Sequence, residues 1–77
     1  MSITVKYFAS LREKMGREMD QISALEVKTV ANVWSQVAHG KTMPANTLAA
    51  VNLEYSDLTA SVVDGDEVAF FPPVTGG

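Results

Sequence analysis

The sequence predicts an α+β fold, in which a mixed sheet of four to five strands packs against one long helix and one or two short helices. Three observations lead to this prediction. Apolar residues alternate near the N-terminus, they recur with a helical period in the middle of the chain, and β-forming residues precede a proline pair near the C-terminus. A chain of 77 residues, 47% of them hydrophobic, has room for one domain with a small core.

The N-terminal element is predicted to be a strand over residues 2–8, because every second side chain is apolar there. The residues on the apolar face are Ile3, Val5 and Tyr7. A short helix should follow, since Leu11 and Met15 lie four residues apart and Gly16 suits its C-terminal end. Ser10 has the capping-box spacing to the glutamate three residues later, so it is the predicted N-cap.

Residues 19–27 are predicted to form a second strand, although the alternation changes phase near its end and leaves open which side faces the core. Thr29 is then expected to cap the longest helix, with His39 in its last turn and Gly40 at its end. The apolar stripe of this helix consists of Val30, Val33, Trp34, Val37 and Ala38. Because valine is only a fair helix former, packing of the stripe on a sheet must stabilise the helix, with Trp34 as its main anchor.

The second half of the chain contains the remaining strands. Residues 47–52 are predicted to form a third strand, and the polar stretch 53–63 a short strand with a turn of 3₁₀ helix. A turn at residues 64–66 leads into the last strand, residues 67–71, which is rich in β-forming residues. The proline pair that follows should end this strand, because proline has no N–H to donate to a sheet.

Two adjacent aromatic residues, Phe70 and Phe71, should lie on opposite faces of the last strand. One is expected in the core. The other should lie on the outer face beside Tyr7 or Tyr55, where an apolar patch would suit a partner protein. The sequence leaves open which of the two is exposed, because the register of the strand depends on its neighbours.

The chain divides into a folded body, residues 1–71, and an extended tail, residues 72–77. The proline pair favours a stiff, extended backbone that would project the tail away from the body. Gly76 and Gly77 have no side chains, so the tip is thin enough for a narrow channel. The carboxylate of Gly77 is therefore expected to be a reactive group on an arm, and the alternative is an end that simply frays.

The composition excludes several classes of function. The chain has no cysteine, which excludes disulfides and thiolate nucleophiles, and its single histidine cannot complete a metal site, so no metal is expected. A net charge of −3 without clustered basic residues argues against nucleic-acid binding. The chain shows neither a signal peptide nor an apolar run near the roughly 20 residues that cross a bilayer. We therefore expect a cytoplasmic protein without a membrane partner.

Four acidic residues near the C-terminus allow three interpretations. They are Asp57, Asp64, Asp66 and Glu67. A solvated turn is favoured over acid–base chemistry or hard-metal binding. Docking of a basic partner is an intermediate interpretation, because no lysine or arginine follows Lys41 and the second half of the chain is acidic.

The terminal carboxylate needs activation before it can react, because it is anionic and its leaving group would be oxide. Adenylation by ATP converts it to a mixed anhydride, from which sulfur can displace AMP and leave a thiocarboxylate. The sequence has neither a phosphate-binding loop nor a nucleophile for these steps, so other proteins must supply them. No cofactor is expected on the isolated chain, and whether the chain alone counts as an enzyme is left open.

Several stretches resemble one family, the MoaD sulfur carriers, which are the small subunits of molybdopterin synthase. Residues 64–77 (DGDEVAFFPPVTGG) carry the most specific resemblance. Residues 49–52 (AAVN), residues 7–9 (YFA) with 11–13 (LRE), and the Thr-Val pair at 29–30 are also similar to this family. The resemblance spans the whole chain, and it departs from the family pattern in residues 53–63.

The resemblance implies a ubiquitin-like β-grasp fold and a role in molybdenum cofactor biosynthesis. It implies that an E1-like adenylyltransferase (MoeB) adenylates Gly77 with ATP, that a sulfur source makes the thiocarboxylate, and that sulfur passes to cyclic pyranopterin monophosphate. The implied partner is the large subunit (MoaE), in a heterotetramer. The residues expected to contact partners are Tyr55, Phe71, Pro73, Val74, Thr75 and Gly76.

Three alternatives stay open at this point. A thiamine-pathway sulfur carrier shares the fold and the Gly-Gly end, and ranks second. A ubiquitin-like protein modifier would be joined through Gly77 to lysines of its targets. A plain interaction module would have a tail without a function of its own.

Overall fold

The computed structural model describes residues 1–73. Five strands, two α-helices and one 3₁₀ turn occur in that range. In chain order they are β1 (Ser2–Tyr7), α1 (Ser10–Met15), β2 (Met19–Ser23), the 3₁₀ turn (Ala24–Glu26), α2 (Val30–Ala38), β3 (Leu48–Val51), β4 (Glu54–Ser56) and β5 (Glu67–Phe71). Within the described residues, no helix combines the length and apolarity that crossing a bilayer requires.

The strands form one mixed sheet in the order β2-β1-β5-β3-β4. The N- and C-terminal strands, β1 and β5, run parallel at its centre, and the other neighbouring strands are antiparallel. Because parallel strands need a crossover connection, the chain between β1 and β5 carries α2 across one side of the sheet. This arrangement is the β-grasp fold, which confirms the predicted fold class.

The inner face of the sheet is the side that α2 covers, and it contains the core. The alternating residues of β1 face it, as predicted, and so do Val68 and Phe70 of β5. All five residues of the predicted α2 stripe are buried against this face. The Trp34 ring meets the Phe70 ring edge-on, with ring centroids 5.2 Å apart, so the helix and the central strand are joined by an aromatic pair.

The predicted capping box of α1 is wrong. Ala9 occupies the N-cap position with φ of 52°, no side chain caps the helix, and Ser10 is its first residue. The chain leaves β1 at Phe8, whose N–H donates to the Phe70 carbonyl at 3.1 Å, and it must then turn sharply into α1. The end of the helix is as predicted, because Gly16 has a left-handed backbone and donates its N–H to the Arg12 carbonyl at 2.9 Å.

The second strand is shorter than predicted, because it ends at Ser23 rather than residue 27. A 3₁₀ turn begins at Ala24, and the Ser23 hydroxyl accepts a hydrogen bond from the Leu25 N–H at 3.2 Å. This turn explains the change of phase in the sequence. Ile22 lies on the inner side of β2, paired with Ile3 across the ladder.

The predicted start of α2 is confirmed and its predicted end is wrong by one residue. The Thr29 hydroxyl accepts a hydrogen bond from the Asn32 N–H at 3.2 Å, as an N-cap does. At the other end, His39 rather than Gly40 is the C-cap, with a left-handed φ of 49°. The polar stretch after β3 contains β4, as predicted, but a hydrogen-bonded turn over residues 57–60 takes the place of the expected 3₁₀ turn.

Candidate docking face and tail origin

The outer face of the sheet, opposite α2, carries a row of one residue from each strand. The ladder pairs fix this row as Met19, Lys6, Ala69, Ala50 and Tyr55. The two central members are alanines, which are buried although no helix covers this face. Small residues at the centre make a shallow floor, and the larger side chains of the edge strands stand at its margins.

A second apolar row lies at the end of the sheet from which the tail begins. Leu48 pairs with Phe71 across β3 and β5, and Phe8 follows β1 on the same side. The Tyr55 and Phe71 rings lie 5.7 Å apart between centroids and are tilted by 58°. Tyr55 is 73% exposed and Phe8 is 48% exposed, so large apolar side chains contact solvent at this end of the sheet.

We call these side chains the outer-face patch. Its members are Phe8, Met19, Leu48, Ala50, Tyr55, Ala69 and Phe71. The patch includes residues from four strands and Phe8, which directly follows β1, and the strand that carries Phe71 continues directly into the tail. A partner that binds the patch would therefore hold the origin of the tail at the same time.

The structure shows which of the two adjacent phenylalanines lies on the outer face. Phe70 is fully buried in the core, because β5 pairs with β1 in a register that places it beside Tyr7 on the inner face. Phe71 is therefore on the outer face, beside Tyr55 and not beside Tyr7. Phe71 and Tyr55, both predicted as partner contacts, lie next to each other in the patch.

A hollow of about 240 Å³ adjoins the patch on the side of β1 and β2. It is lined by Lys6, Tyr7, Phe8, Arg12, Glu18 and Met19. Two exposed ion pairs lie on this side of the patch, one joining Lys6 Nζ to Glu67 Oε1 at 3.3 Å and the other Arg12 Nη1 to Glu18 Oε1 at 3.6 Å. The patch is thus apolar at its centre and charged along the margin next to the hollow.

The tail begins immediately beyond the patch. Pro72 is half-buried and Pro73 is exposed, and neither belongs to a strand, as predicted. The remaining predicted site residues, Val74, Thr75, Gly76 and Gly77, lie outside the described residues. Their roles stay predictions.

The acidic residues of the second half make local contacts that stabilise turns. Asp66 accepts hydrogen bonds from the Asn52 side chain and the Val63 N–H, each at 2.9 Å. The Thr59 hydroxyl and N–H donate to Asp57, and these hydrogen bonds lower the pKa of that carboxyl. In residues 1–73, histidines and carboxylates nowhere gather in a group of three that could hold a metal ion. These contacts favour the solvated-turn interpretation.

A polar cluster that the sequence did not indicate lies at the edge of the core. The Tyr7 hydroxyl donates to Asp20 Oδ2 at 2.7 Å, and Arg17 donates to the same carboxylate. The Arg17 guanidinium also donates to the Met15 and Val37 carbonyls, each at 2.9 Å, which joins the loop after α1 to the end of α2. Burial and the Asp20 carboxylate raise the pKa of Tyr7, and the hydrogen bond to Asp20 raises the pKa of Arg17.

The outer-face patch also includes residues that were not predicted as partner contacts, among them Phe8, Met19 and Leu48. The alternation that places Tyr7 on the inner face places Phe8 on the outer face, so the sequence pattern itself indicates the position of Phe8. Met19 and Leu48 reach the patch only through pairing with other strands. The assembled site offers apolar contact area and a tail origin, and its described residues suit docking rather than catalysis.

Both the sequence and the fold of the chain are similar to those of known proteins. The model of the ThiS family matches residues 5–77. The chain is similar to the molybdopterin synthase sulfur carrier subunits of Escherichia coli and Haemophilus influenzae, with 38% and 35% identity, covering 97% of this chain and 99% of each relative. Its fold is similar to the crystal structure of SAMP1 from Haloferax volcanii, with a TM-score of 0.77, 25% identity and full coverage of both chains.

Proposed function

Because this chain belongs to the ThiS family, we propose that it is the sulfur carrier subunit of molybdopterin synthase and acts in molybdenum cofactor biosynthesis. The observation that carries the proposal is the similarity to two molybdopterin synthase sulfur carrier subunits over nearly the whole chain. The absence of cysteine supports it, since sulfur carried on a terminal acyl group needs no side-chain thiol.

Sulfur loading takes place at the carboxyl group of Gly77. A carboxylate oxygen attacks the α-phosphorus of ATP, pyrophosphate leaves, and an acyl adenylate forms. Hydrosulfide then attacks the acyl carbon, AMP leaves with the bonding electron pair, a proton is released, and a thiocarboxylate remains. An E1-like adenylyltransferase supplies the ATP site, because the described part of this chain offers a docking face and no phosphate-binding loop.

Sulfur delivery requires a second partner, the large synthase subunit, with which the chain forms a heterotetramer. The outer-face patch supports this proposal, because exposed Tyr55 and half-buried Phe71 form an aromatic pair that adjoins the first residues of the tail. A partner that covers Tyr55 and Phe71 orders the tail origin and directs Val74, Thr75, Gly76 and Gly77 into its own channel. The sulfur acceptor in that channel is cyclic pyranopterin monophosphate.

The proposal is tested by intact mass after incubation with the E1-like enzyme, ATP and sulfide. We expect one oxygen atom to be replaced by one sulfur atom, in the C-terminal peptide only. The control is a variant without Gly76 and Gly77, which should stay folded, because these residues follow the sheet and belong to no described part of the core. A chain that gains no sulfur, while a known carrier gains it in the same reaction, would refute the proposal.

A protein modifier takes the second place, ahead of the thiamine-pathway carrier, because the chain is similar to SAMP1, a small archaeal modifier protein. In this case Gly77 would form an amide bond with lysines of other proteins. Blots of a tagged chain in its host distinguish the two functions. Covalent adducts that disappear when Gly76 and Gly77 are deleted, without any thiocarboxylate, would favour the modifier.

A thiamine-pathway sulfur carrier is the third candidate, since the matching family model is named for ThiS. Genetic rescue separates it from the first. We expect the chain to restore molybdoenzyme activity in a strain that lacks its own molybdopterin carrier. Rescue of a thiamine requirement alone would reverse the order of these candidates.

A further inference from the structure

The link between β3 and β4 has an unusual backbone. Asn52 and Leu53 form a two-residue turn, with φ of 50° and 70° respectively. A hairpin link with positive φ at both positions is a type I′ turn, in which asparagine suits the first position and glycine the second. Leucine at the second position is strained, because a side chain with a Cβ rarely adopts the left-handed region.

Asn52 holds this turn in place. Its side-chain Nδ2 donates to Asp66 Oδ1 at 2.9 Å, and its Oδ1 accepts from the Glu67 N–H at 3.0 Å. Its backbone N–H donates to the Glu67 carbonyl at 2.8 Å. The tip of the hairpin is therefore fixed to the start of β5, and Leu53 is presented in one position.

Leu53 gains no compensating burial from the part of the chain that the structure describes. It is 87% exposed, and no other large apolar residue with a left-handed backbone occurs in residues 1–73. Leu25 is 82% exposed as well, but it has an ordinary backbone. Strain at an exposed apolar side chain suggests that the residue makes its contact with another molecule.

The position of Leu53 makes it an extension of the outer-face patch. Val51 and Glu54 close the turn as a ladder pair, with Val51 packed against the core on the inner side. Leu53 immediately precedes β4 and lies two residues before Tyr55, whose side chain is on the outer side next to Phe71. The patch thus continues along β4 to the tip of the hairpin.

We propose that Leu53 is an anchor that inserts into an apolar pocket of the protein that binds the outer-face patch. This inference rests on the proposed function, in which that protein is the large synthase subunit. The rigid turn presents the leucine before binding, so little side-chain or loop ordering is needed when the complex forms. A few well-packed residues supply most of the binding free energy in many interfaces.

The test uses Leu53→Gly, which removes the side chain and relieves the strain together. We expect its melting temperature to rise by about 2–5 °C, while its affinity for the purified large subunit, measured by titration calorimetry, falls about tenfold. Leu53→Met keeps an apolar side chain and should keep the affinity within about threefold. Leu25→Ser is the matched control, which removes an equally exposed leucine at the far side of the sheet and should leave the affinity unchanged.

A stabilised Leu53→Gly variant that binds as tightly as the unaltered chain would overturn the inference, and so would a Leu53→Met variant that binds no better than Leu53→Gly. The proposed function is tested separately in the same titration. If the unaltered chain does not bind the large subunit, the proposed function and the anchor role of Leu53 are both refuted. If it binds and Phe71→Ala weakens the complex while Leu53→Gly does not, only the anchor role of Leu53 falls.

Discussion

The inner and outer faces of the sheet are built from the same strands and differ in almost every other respect. On β5, Phe70 is fully buried beneath α2, and its neighbour Phe71 lies on the side that no helix covers. At the end of β1, Tyr7 is 2% exposed, and Phe8, the next residue, is 48% exposed. The period of two residues along a strand therefore separates the side chains that stabilise the fold from those available to a partner.

This separation means that stability and docking can be changed independently. Inner-face residues contact one another and the α2 stripe, so their removal leaves a cavity inside the core. Outer-face residues contact two alanines and each other, so their removal exposes little that was buried. We expect substitutions on the inner face to change the free energy of unfolding, and substitutions on the outer face to change the affinity for partners.

The largest effect is expected for Trp34→Ala. Trp34 is 7% exposed, packs edge-on against Phe70, and donates its indole N–H to the Lys41 carbonyl at 3.2 Å. Truncation should lower the free energy of unfolding by about 3–5 kcal/mol, measured by urea titration, because it leaves a large cavity and an unpaired carbonyl. Trp34→Phe is the control and should lose less. A loss below about 1 kcal/mol would mean that α2 contributes little to the core.

The next effect concerns Tyr7 and depends on pH. The pKa of Tyr7 is raised in the folded protein, so below pH 10 both the folded and the unfolded chain keep the phenolic proton. Above pH 10 the unfolded chain loses this proton first, and stability should fall with rising pH, by at most about 1.4 kcal/mol per pH unit. Tyr7→Phe should lower stability at neutral pH by about 1–3 kcal/mol, because the hydrogen bond to Asp20 is lost, and should remove this part of the alkaline decline.

Chemical denaturation of both proteins between neutral pH and pH 11 provides the measurement. The quantity that matters is the difference between the two proteins, because the substitution removes the contribution of the Tyr7 hydroxyl. An equal alkaline decline in the Tyr7→Phe variant would show that Tyr7 is not the group responsible. The raised pKa of Tyr7 would then contribute nothing measurable to stability.

The elements that the sequence predicted well are those determined by their own residues. The alternation in β1 and the stripe of α2 each bury one side of one element, so the pattern of that element suffices. The Thr29 cap is local in the same sense, since its partner is the N–H three residues later. The proline pair ended β5 at Phe71 as expected.

The features that the sequence did not predict depend on pairing between distant segments. Whether Phe70 or Phe71 faces the core is decided by the register of β5 beside β1, which neither segment specifies alone. The hydrogen bonds among Tyr7, Arg17 and Asp20 connect β1, the loop after α1 and β2. No spacing in the sequence indicates this cluster. The failed capping box at Ser10 has the same origin, because the path from the end of β1 gives the preceding residue, Ala9, a positive φ of 52°.

For the outer face we expect an effect on binding with little effect on folding. Phe71→Ala should weaken the complex with the large subunit about tenfold, as loss of an aromatic anchor does, and lower stability by about 1 kcal/mol or less. Calorimetric titration and urea unfolding of the same preparation give the two numbers. Tyr55→Phe is the control, because it keeps the ring beside Phe71 and should bind normally. If Phe71→Ala destabilised the domain as much as Phe70→Ala, the distinction between the two faces would not hold for β5.

The smallest effect is expected for the ion pair between Lys6 and Glu67, which joins β1 to β5 on the outer face. Their side chains are 42% and 34% exposed, so water and salt screen the attraction at 3.3 Å. A double-mutant cycle with Lys6→Met and Glu67→Gln should give a coupling free energy below about 1 kcal/mol, falling further at high salt. A coupling free energy above about 1.5 kcal/mol, unchanged by salt, would mean that the outer face also stabilises the central parallel pair. Because the charges lie beside the hollow at the margin of the patch, a weak pair can exchange its partners for groups of a docking protein at little cost in stability.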